Sequence, residues 1–365
     1  MRISFNRLDR SYLKYKYEYD CAAVKTMESG WYILGKNVEK FESEFSQFTN
    51  TKYCVGLNSG LDALKLAFRA LNIKEEDEVI VPTNTYIASV IGITENGALP
   101  IFVEPDEYYN IDTERIEEKI SSSTKAILVV HLYGQGAKMK RISDIAKKHN
   151  LYLIEDCAHS HGAESDGMKT GSWGDIGCFS FYPTKIIGAF GDAGAIVCND
   201  SKIKGKIKKL RNYGSGKKYQ NELIGVNSRL DELQAAFLSV KLAHYHDTVT
   251  QRRKIADDYL RGIQNTNIHL PKIREGSDHV WHLFVIEAEN RSQLQDYLFA
   301  NGIETQIHYP VPPHLSKAYK YLGYKQGDFP ITEKLADRII SLPLYEGMSE
   351  AETAYVIKVI NKFNG

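Results

Sequence analysis

Short apolar runs alternate with helical patterns between residues 52 and 199, which is the order expected of βα units stacked around a mostly parallel sheet. Seven runs read as strands: YCVGL (53–57), VIVP (79–82), PIFVE (100–104), AILVVHLY (126–133), LYLIED (151–156), CFSFYP (178–183) and GAIVCN (194–199). Between the first two, Leu61, Leu64, Phe68 and Leu71 recur at three- and four-residue spacing, predicting one helix face that begins just after Ser59-Gly60. Segments 112–120 and 138–149 read as helices, and 229–263 as one long helical stretch leading out of a first domain. Past a boundary near 245, VWHLFVIEA (280–288), SQLQDYLFANG (292–302) and IETQIHY (303–309) predict a smaller α+β lobe, closed by a helix over 349–363. The expected division is an N-terminal segment and large α/β domain over 1–245 and a small C-terminal domain over 246–365.

Composition narrows the partners. Lys plus Arg equals Asp plus Glu at 46 each, so no global field draws the chain to nucleic acid or to an anionic membrane, and neither is expected as a partner. The opening MRISFNRLDRSYLKYKYEYD lacks the continuous apolar stretch of a secretory signal, and no later run approaches the roughly 18 apolar residues of a membrane span. A cytoplasmic location is the expectation. Cys21, Cys54, Cys157, Cys178 and Cys198 form no CxxC pair and are odd in number, which predicts reduced thiols rather than a disulfide framework.

Three segments carry candidate chemistry. In CFSFYPTKIIGAFGDAGAIVCN (178–199) a lysine follows an apolar strand and a proline. Lys185 in a cleft would lose hydration, lower its pKa and offer a neutral amine for a Schiff base; a solvated loop lysine is the plainer alternative. In LYLIEDCAHSHGA (151–163) a strand ends on Glu155-Asp156, where Asp156 either caps the next turn or faces a cationic ring nitrogen. In NSGLDAL (58–64) the amides of Gly60 and Leu61 open a helix, a place that suits phosphate. His159, His161 and Asp156 also read as a metal cluster, for which no third, distant ligand is evident; no metal is expected.

Strand-SG-helix, strand-ED and strand-SFYPTK, in that order, resemble the DegT/DnrJ/EryC1/StrS sugar aminotransferases of fold type I, from SGWYILGKNVEKFE (29–42) to FPITEKLADRIISLPLYEGMSE (329–350). The resemblance implies pyridoxal 5′-phosphate as cofactor, a large domain with a mostly parallel mixed sheet, and a homodimer with active sites at the subunit interface. It implies that Lys185 carries the cofactor and then shuttles the substrate proton, that Asp156 holds the pyridinium, and that Tyr86 stacks on the ring. Ser59, Ser180 and the Gly60 and Leu61 amides would bind the phosphate, with Asn227 of GVNSRLDELQAA reaching it from the neighbouring subunit. Two departures stand out: many members read SGT where this chain has Ser59-Gly60-Leu61, and many have glutamine where it has His159. His159 can still donate a hydrogen bond to the cofactor's phenolate oxygen.

Within that family, segments 211–236 and IHYPVPPH (307–314) look like the branch that aminates C3 of dTDP-3-keto-6-deoxyhexoses, in nucleotide-sugar and surface-polysaccharide (O-antigen) biosynthesis, with an amino acid, L-glutamate, as donor. Tyr213, Tyr219, His308 and Tyr309 then become candidates for substrate contacts. The competing readings are a C4 aminotransferase on a nucleotide-linked 4-keto sugar, a sugar dehydratase of the same fold, in which histidine replaces the lysine, and a cofactor-binding protein without catalysis.

Overall fold

The computed structural model describes every residue except Lys218. Seven strands form its central sheet: β1 (Tyr53–Leu57), β2 (Glu78–Pro82), β3 (Leu99–Val103), β4 (Thr124–Val130), β5 (Tyr152–Asp156), β6 (Ile176–Ser180) and β7 (Gly194–Cys198). Their spatial order is β1-β7-β6-β5-β4-β2-β3. The pairs from β6 to β3 are parallel, and β7 runs against both of its neighbours. Such strands are covered on both faces, which is why they read as unbroken apolar runs. Val79 and Val81 of β2 pack with Leu64, Phe68, Val90 and Ile93 from helices Gly60–Ala70 and Ile87–Thr94. Ile80, between them, packs on the other face with Ile142 and Ile145 of helix Met139–Lys148.

A second sheet is antiparallel: Phe284–Ala288 lies between Ile268–His269 and Ile339–Leu342. Its core includes Tyr259, Leu294, Leu298 and Val356 from helices Tyr245–Gly262, Arg291–Ala300 and Glu350–Ile360. Ile3 joins this core and bridges to Ile303, tying the first residues to it. Among the described residues no helix is long and apolar enough to cross a membrane, and all five cysteines are free thiols.

The structure corrects several expected elements. Segment 112–120 holds two 3-10 turns, Thr113–Arg115 and Glu117–Lys119, instead of an α-helix. Only Thr113 and Ile116 bury there, three residues apart, too little burial to sustain a longer helix. The stretch 229–263 is two helices, Glu232–Ala243 and Tyr245–Gly262, parted at His244. The next residue, Tyr245, turns inward to donate its hydroxyl to the His161 carbonyl at 3.0 Å. Three strands stop or start three or more residues inside their apolar runs. β4 stops at Val130, β6 stops at Ser180, and the run at 280–288 becomes a strand only from Phe284. In each case the discarded residues form a turn at the cavity described next.

Candidate active site

Parallel α/β sheets leave a crevice at the carboxyl ends of their strands, and here a cavity of about 740 Å3 occupies it. Ser59, Gly60, Leu61, Tyr86, Asp156, His159, Ser180, Lys185, His308 and Tyr309 all line it.

Lys185 stands on the turn that leaves β6. Pro183 cannot continue a strand ladder, and the Lys185 amide donates to the Tyr182 carbonyl at 2.8 Å to close the turn. Burial pushes the Lys185 amine down to about 8, opposed by the charge of Asp156. Asp156 ends β5 and is itself buried. Burial raises its carboxyl above the usual range, while donors from Ser89 (2.8 Å) and the Ala158 amide (3.1 Å), with the Lys185 charge, pull the other way. Ser89 Oγ lies 2.7 Å from Thr85 Oγ1. Sequence reasoning missed this pair, although their four-residue spacing around the start of helix Ile87–Thr94 was a usable signal.

The helix Gly60–Ala70 begins against the end of β6. Ser59 caps it, accepting the Asp62 amide at 3.1 Å, and the amides of Gly60 and Leu61 precede any intrahelical acceptor. Glycine is required by contact: a Cβ on Gly60 would lie 2.4 Å from Ser180 Cβ, and one on Gly194 would lie 2.3 Å from the Ser59 carbonyl oxygen. The two glycines let the helix start, Ser180 and β7 converge into an anion cradle at the positive end of a helix.

Aromatic and imidazole groups form the remaining walls. Tyr86, half exposed, has its ring centroid 4.9 Å from that of Tyr309. Tyr133 donates its hydroxyl to the His308 carbonyl at 2.5 Å, and His308 Nδ1 lies 2.8 Å from Ser341 Oγ. Burial lowers the His308 imidazole to about 4. His159 Nδ1 accepts the Tyr133 amide at 3.2 Å, and burial holds the ring well below its usual pKa, so its one proton sits on Nε2 and makes that nitrogen a donor. His282 was not foreseen. Its ring lies 4.4 Å from that of His159, and its Nδ1 has no partner. It arrives through a loop contact in which Tyr133 and Trp281 both take left-handed backbone (φ 60° and 52°). Hydrogen bonds from Val280 to Gly134 and from Leu283 to Tyr133 join the two loops.

Asn227, Tyr213 and Tyr219 are not brought to the cavity within one chain. Asn227 is exposed and bridges to Asn212; Tyr213 lies under the Arg229 guanidinium at 5.5 Å; Tyr219 is largely exposed. His161 does not converge with His159, for its Nδ1 accepts the Ile187 amide at 3.1 Å and its ring faces Phe179 and Phe181. His131, Glu155 and Cys157 do lie within metal reach of one another. Glu155 already accepts the amides of Gly171, Trp173 and Gly174, and both His131 nitrogens are engaged, so this cluster reads as internal scaffolding.

A profile of the DegT/DnrJ/EryC1/StrS aminotransferase family matches residues 15–361. The chain belongs to this family. It is 51% identical, over 99% of both chains, to a dTDP-3-amino-3,6-dideoxy-α-D-galactopyranose transaminase of Aneurinibacillus thermoaerophilus. The crystal structure of Streptomyces venezuelae DesV in complex with a ketimine intermediate superposes with a TM-score of 0.97 at 42% identity, covering 99% of this chain and 98% of that one. Bacillus subtilis ntda with bound cofactor PMP gives 0.90 at 30%, covering 98% and 84%. The protein is a pyridoxal 5′-phosphate-dependent aminotransferase with the α/β fold expected of one. Its residues fit that cofactor: an amine freed by burial, a buried carboxylate lacking a full cationic partner, an anion cradle that a Cβ would fill, and an aromatic face.

Proposed function

We propose that this enzyme transfers an amino group from an amino acid, L-glutamate, to C3 of a dTDP-3-keto-6-deoxyhexose. The observation that carries the proposal is the 51% identity, end to end, to a transaminase named for a dTDP-3-amino sugar. The product is an activated amino sugar suited to surface-polysaccharide (O-antigen) assembly. A cytoplasmic location suits a nucleotide-sugar substrate.

The bound cofactor supplies an electron sink for a substrate carbanion. Lys185 would hold it and would move the proton at the substrate carbon; the low pKa keeps part of its amine neutral near pH 8. Asp156, held by Ser89 and Ala158, would keep the ring nitrogen protonated. His159 Nε2 would donate to the ring's phenolate oxygen, and Tyr86 would stack on the ring. Ser59, Ser180 and the Gly60 and Leu61 amides would hold the phosphate. His308 and Tyr309 contact the sugar. Asn227, Tyr213 and Tyr219 act in the partner's site of a homodimer, which accounts for their exposure here. Leu13, Tyr17, Val24, Met27, Trp31 and Tyr32 are exposed as well, an apolar surface of the kind that dimers cover.

A single-turnover experiment tests the substrate. Enzyme in its aminated form, mixed with a dTDP-linked 3-keto sugar, should regain visible absorption, while the 4-keto isomer should act at least about tenfold more slowly, since misplacement on the order of 1 Å can cost a hundredfold. Faster recovery with the 4-keto isomer rejects the proposal.

A further inference from the structure

A second cavity of about 60 Å3 adjoins the first and shares Asn6, Thr184 and Lys185 with it. Besides Lys185, its wall holds the cations Arg7, Lys241 and Arg252 but one carboxylate, Glu346. Arg7 is paired with Asp9 at 2.6 Å. Glu346 is also committed, accepting from Lys241, from Ser11 Oγ at 2.7 Å and from Lys14 at 3.3 Å.

Lys185 apart, Arg252 is therefore the cation of this wall without a hydrogen-bonded carboxylate. It is 4% exposed. Both of its hydrogen bonds leave from Nη1, to the carbonyls of Trp281 (3.2 Å) and Leu344 (2.9 Å), and its Nε has no acceptor. Leu344 lines the large cavity, as does His282, next to Trp281. Burial lowers the guanidinium to about 10, opposed by Glu346, so it stays charged at neutral pH. A buried charge with unmade donors is costly unless an anion completes it, and a guanidinium fork matches a carboxylate. The cavity has room for a few waters, and so for a carboxylate group.

We propose that Arg252 is the anion subsite of the amino donor, taking a carboxylate of an amino acid whose nitrogen is presented beside Lys185. This rests on the aminotransferase reading and adds the donor's recognition to it. The carboxylate is either the α-carboxylate common to all amino acids or the distal one of a dicarboxylic donor such as glutamate.

The test uses cofactor-loaded wild type, Arg252→Gln and Arg252→Lys, each checked by circular dichroism and by its visible band. Glutarate, which has no amine to react, is titrated by calorimetry. The donor half-reaction is followed through loss of the visible band with glutamate, glutamine and alanine. Losing one charged hydrogen-bonding partner should weaken glutarate binding and raise the donor KM by about tenfold to a hundredfold in Arg252→Gln, with Arg252→Lys between it and wild type. A KM rise confined to glutamate assigns the distal carboxylate; a rise with all three donors assigns the α-carboxylate. Equal glutarate Kd in all three proteins, or no glutarate binding to wild type, overturns the subsite, and should Arg252→Gln not fold, Arg252→Lys with wild-type Kd and KM does the same. A wild type that reacts with no amino acid would instead reject the aminotransferase reading.

Discussion

Replacing Gly60 with alanine sets two effects of known size against each other. Gly60 is the first residue of helix Gly60–Ala70, and alanine improves helix propensity by up to about 1 kcal/mol. The new Cβ would, however, sit 2.4 Å from Ser180 Cβ and 2.9 Å from Ser180 Cα, where carbon contacts prefer about 3.5–4.0 Å. The Cα belongs to the sheet backbone and cannot swing aside, so the helix start must retreat by about 1 Å. A phosphate bonded at about 2.9 Å would then lie about 3.9 Å from the Gly60 and Leu61 amides, beyond hydrogen-bond range. Each lost bond to a charged group is worth about 1.5–3 kcal/mol, so the loss of even one should raise the cofactor Kd by at least roughly tenfold to a hundredfold. Titrating apoenzyme with pyridoxal phosphate, read by tryptophan fluorescence, measures it. Gly205→Ala is the control: it makes the same chemical change inside helix Ser201–Leu210 with nothing within 4 Å of the new Cβ, and should leave Kd unchanged. A Gly60→Ala Kd within about twofold of wild type would refute the cradle.

Ser89→Ala removes a 2.8 Å hydrogen bond from buried Asp156 and should lower apoenzyme stability by about 1–3 kcal/mol, read from urea midpoints; equal midpoints contradict it. Because the Lys185 amine is lowered to about 8 and only its neutral form attacks, the rate of cofactor capture should climb with pH and level off above about 8. A rate that keeps climbing to the ordinary lysine range near 10.5 would contradict the assignment. Mixing inactive Lys185→Ala and Asn227→Asp subunits should restore activity by building one intact site per heterodimer. No recovery, with heterodimers shown to form, would make Asn227 structural or a member of its own subunit's site.

The parallel strands were legible because burial on both faces leaves uninterrupted apolar runs, and helix Gly60–Ala70 because its buried face repeats at three and four residues. That Lys185, Asp156 and Ser180 share one cavity was legible through motif and resemblance, each lying at or just past the end of a strand. What the pattern could not supply was where an apolar run stops being a strand. Phe181 is as buried as Phe179, yet the ladder stops at Ser180: the Phe181 amide still donates to the Ala193 carbonyl at 2.8 Å, but its carbonyl accepts from the Ala189 amide as the chain turns at Pro183. The supporting polar groups were equally hidden. Ser89 is a small residue in an apolar helix, and His282 and Arg252 lie 126 and 96 residues from Asp156 along the chain. Only the loop contact between 133–134 and 280–283 and the packing of helix Tyr245–Gly262 bring them to the site.

The most direct test of the central claim is the position of the new amine. Adjacent ring carbons lie about 1.5 Å apart, so C3 and C4 are separated by a small shift in how the nucleotide sugar is anchored. Enzyme, glutamate and a dTDP-linked 3-keto-6-deoxyhexose would be incubated together and the product characterised by NMR, with the amine position followed in time to allow for isomerisation of the ketone. The account predicts an amine at C3; a product aminated at C4, with none at C3, would contradict it.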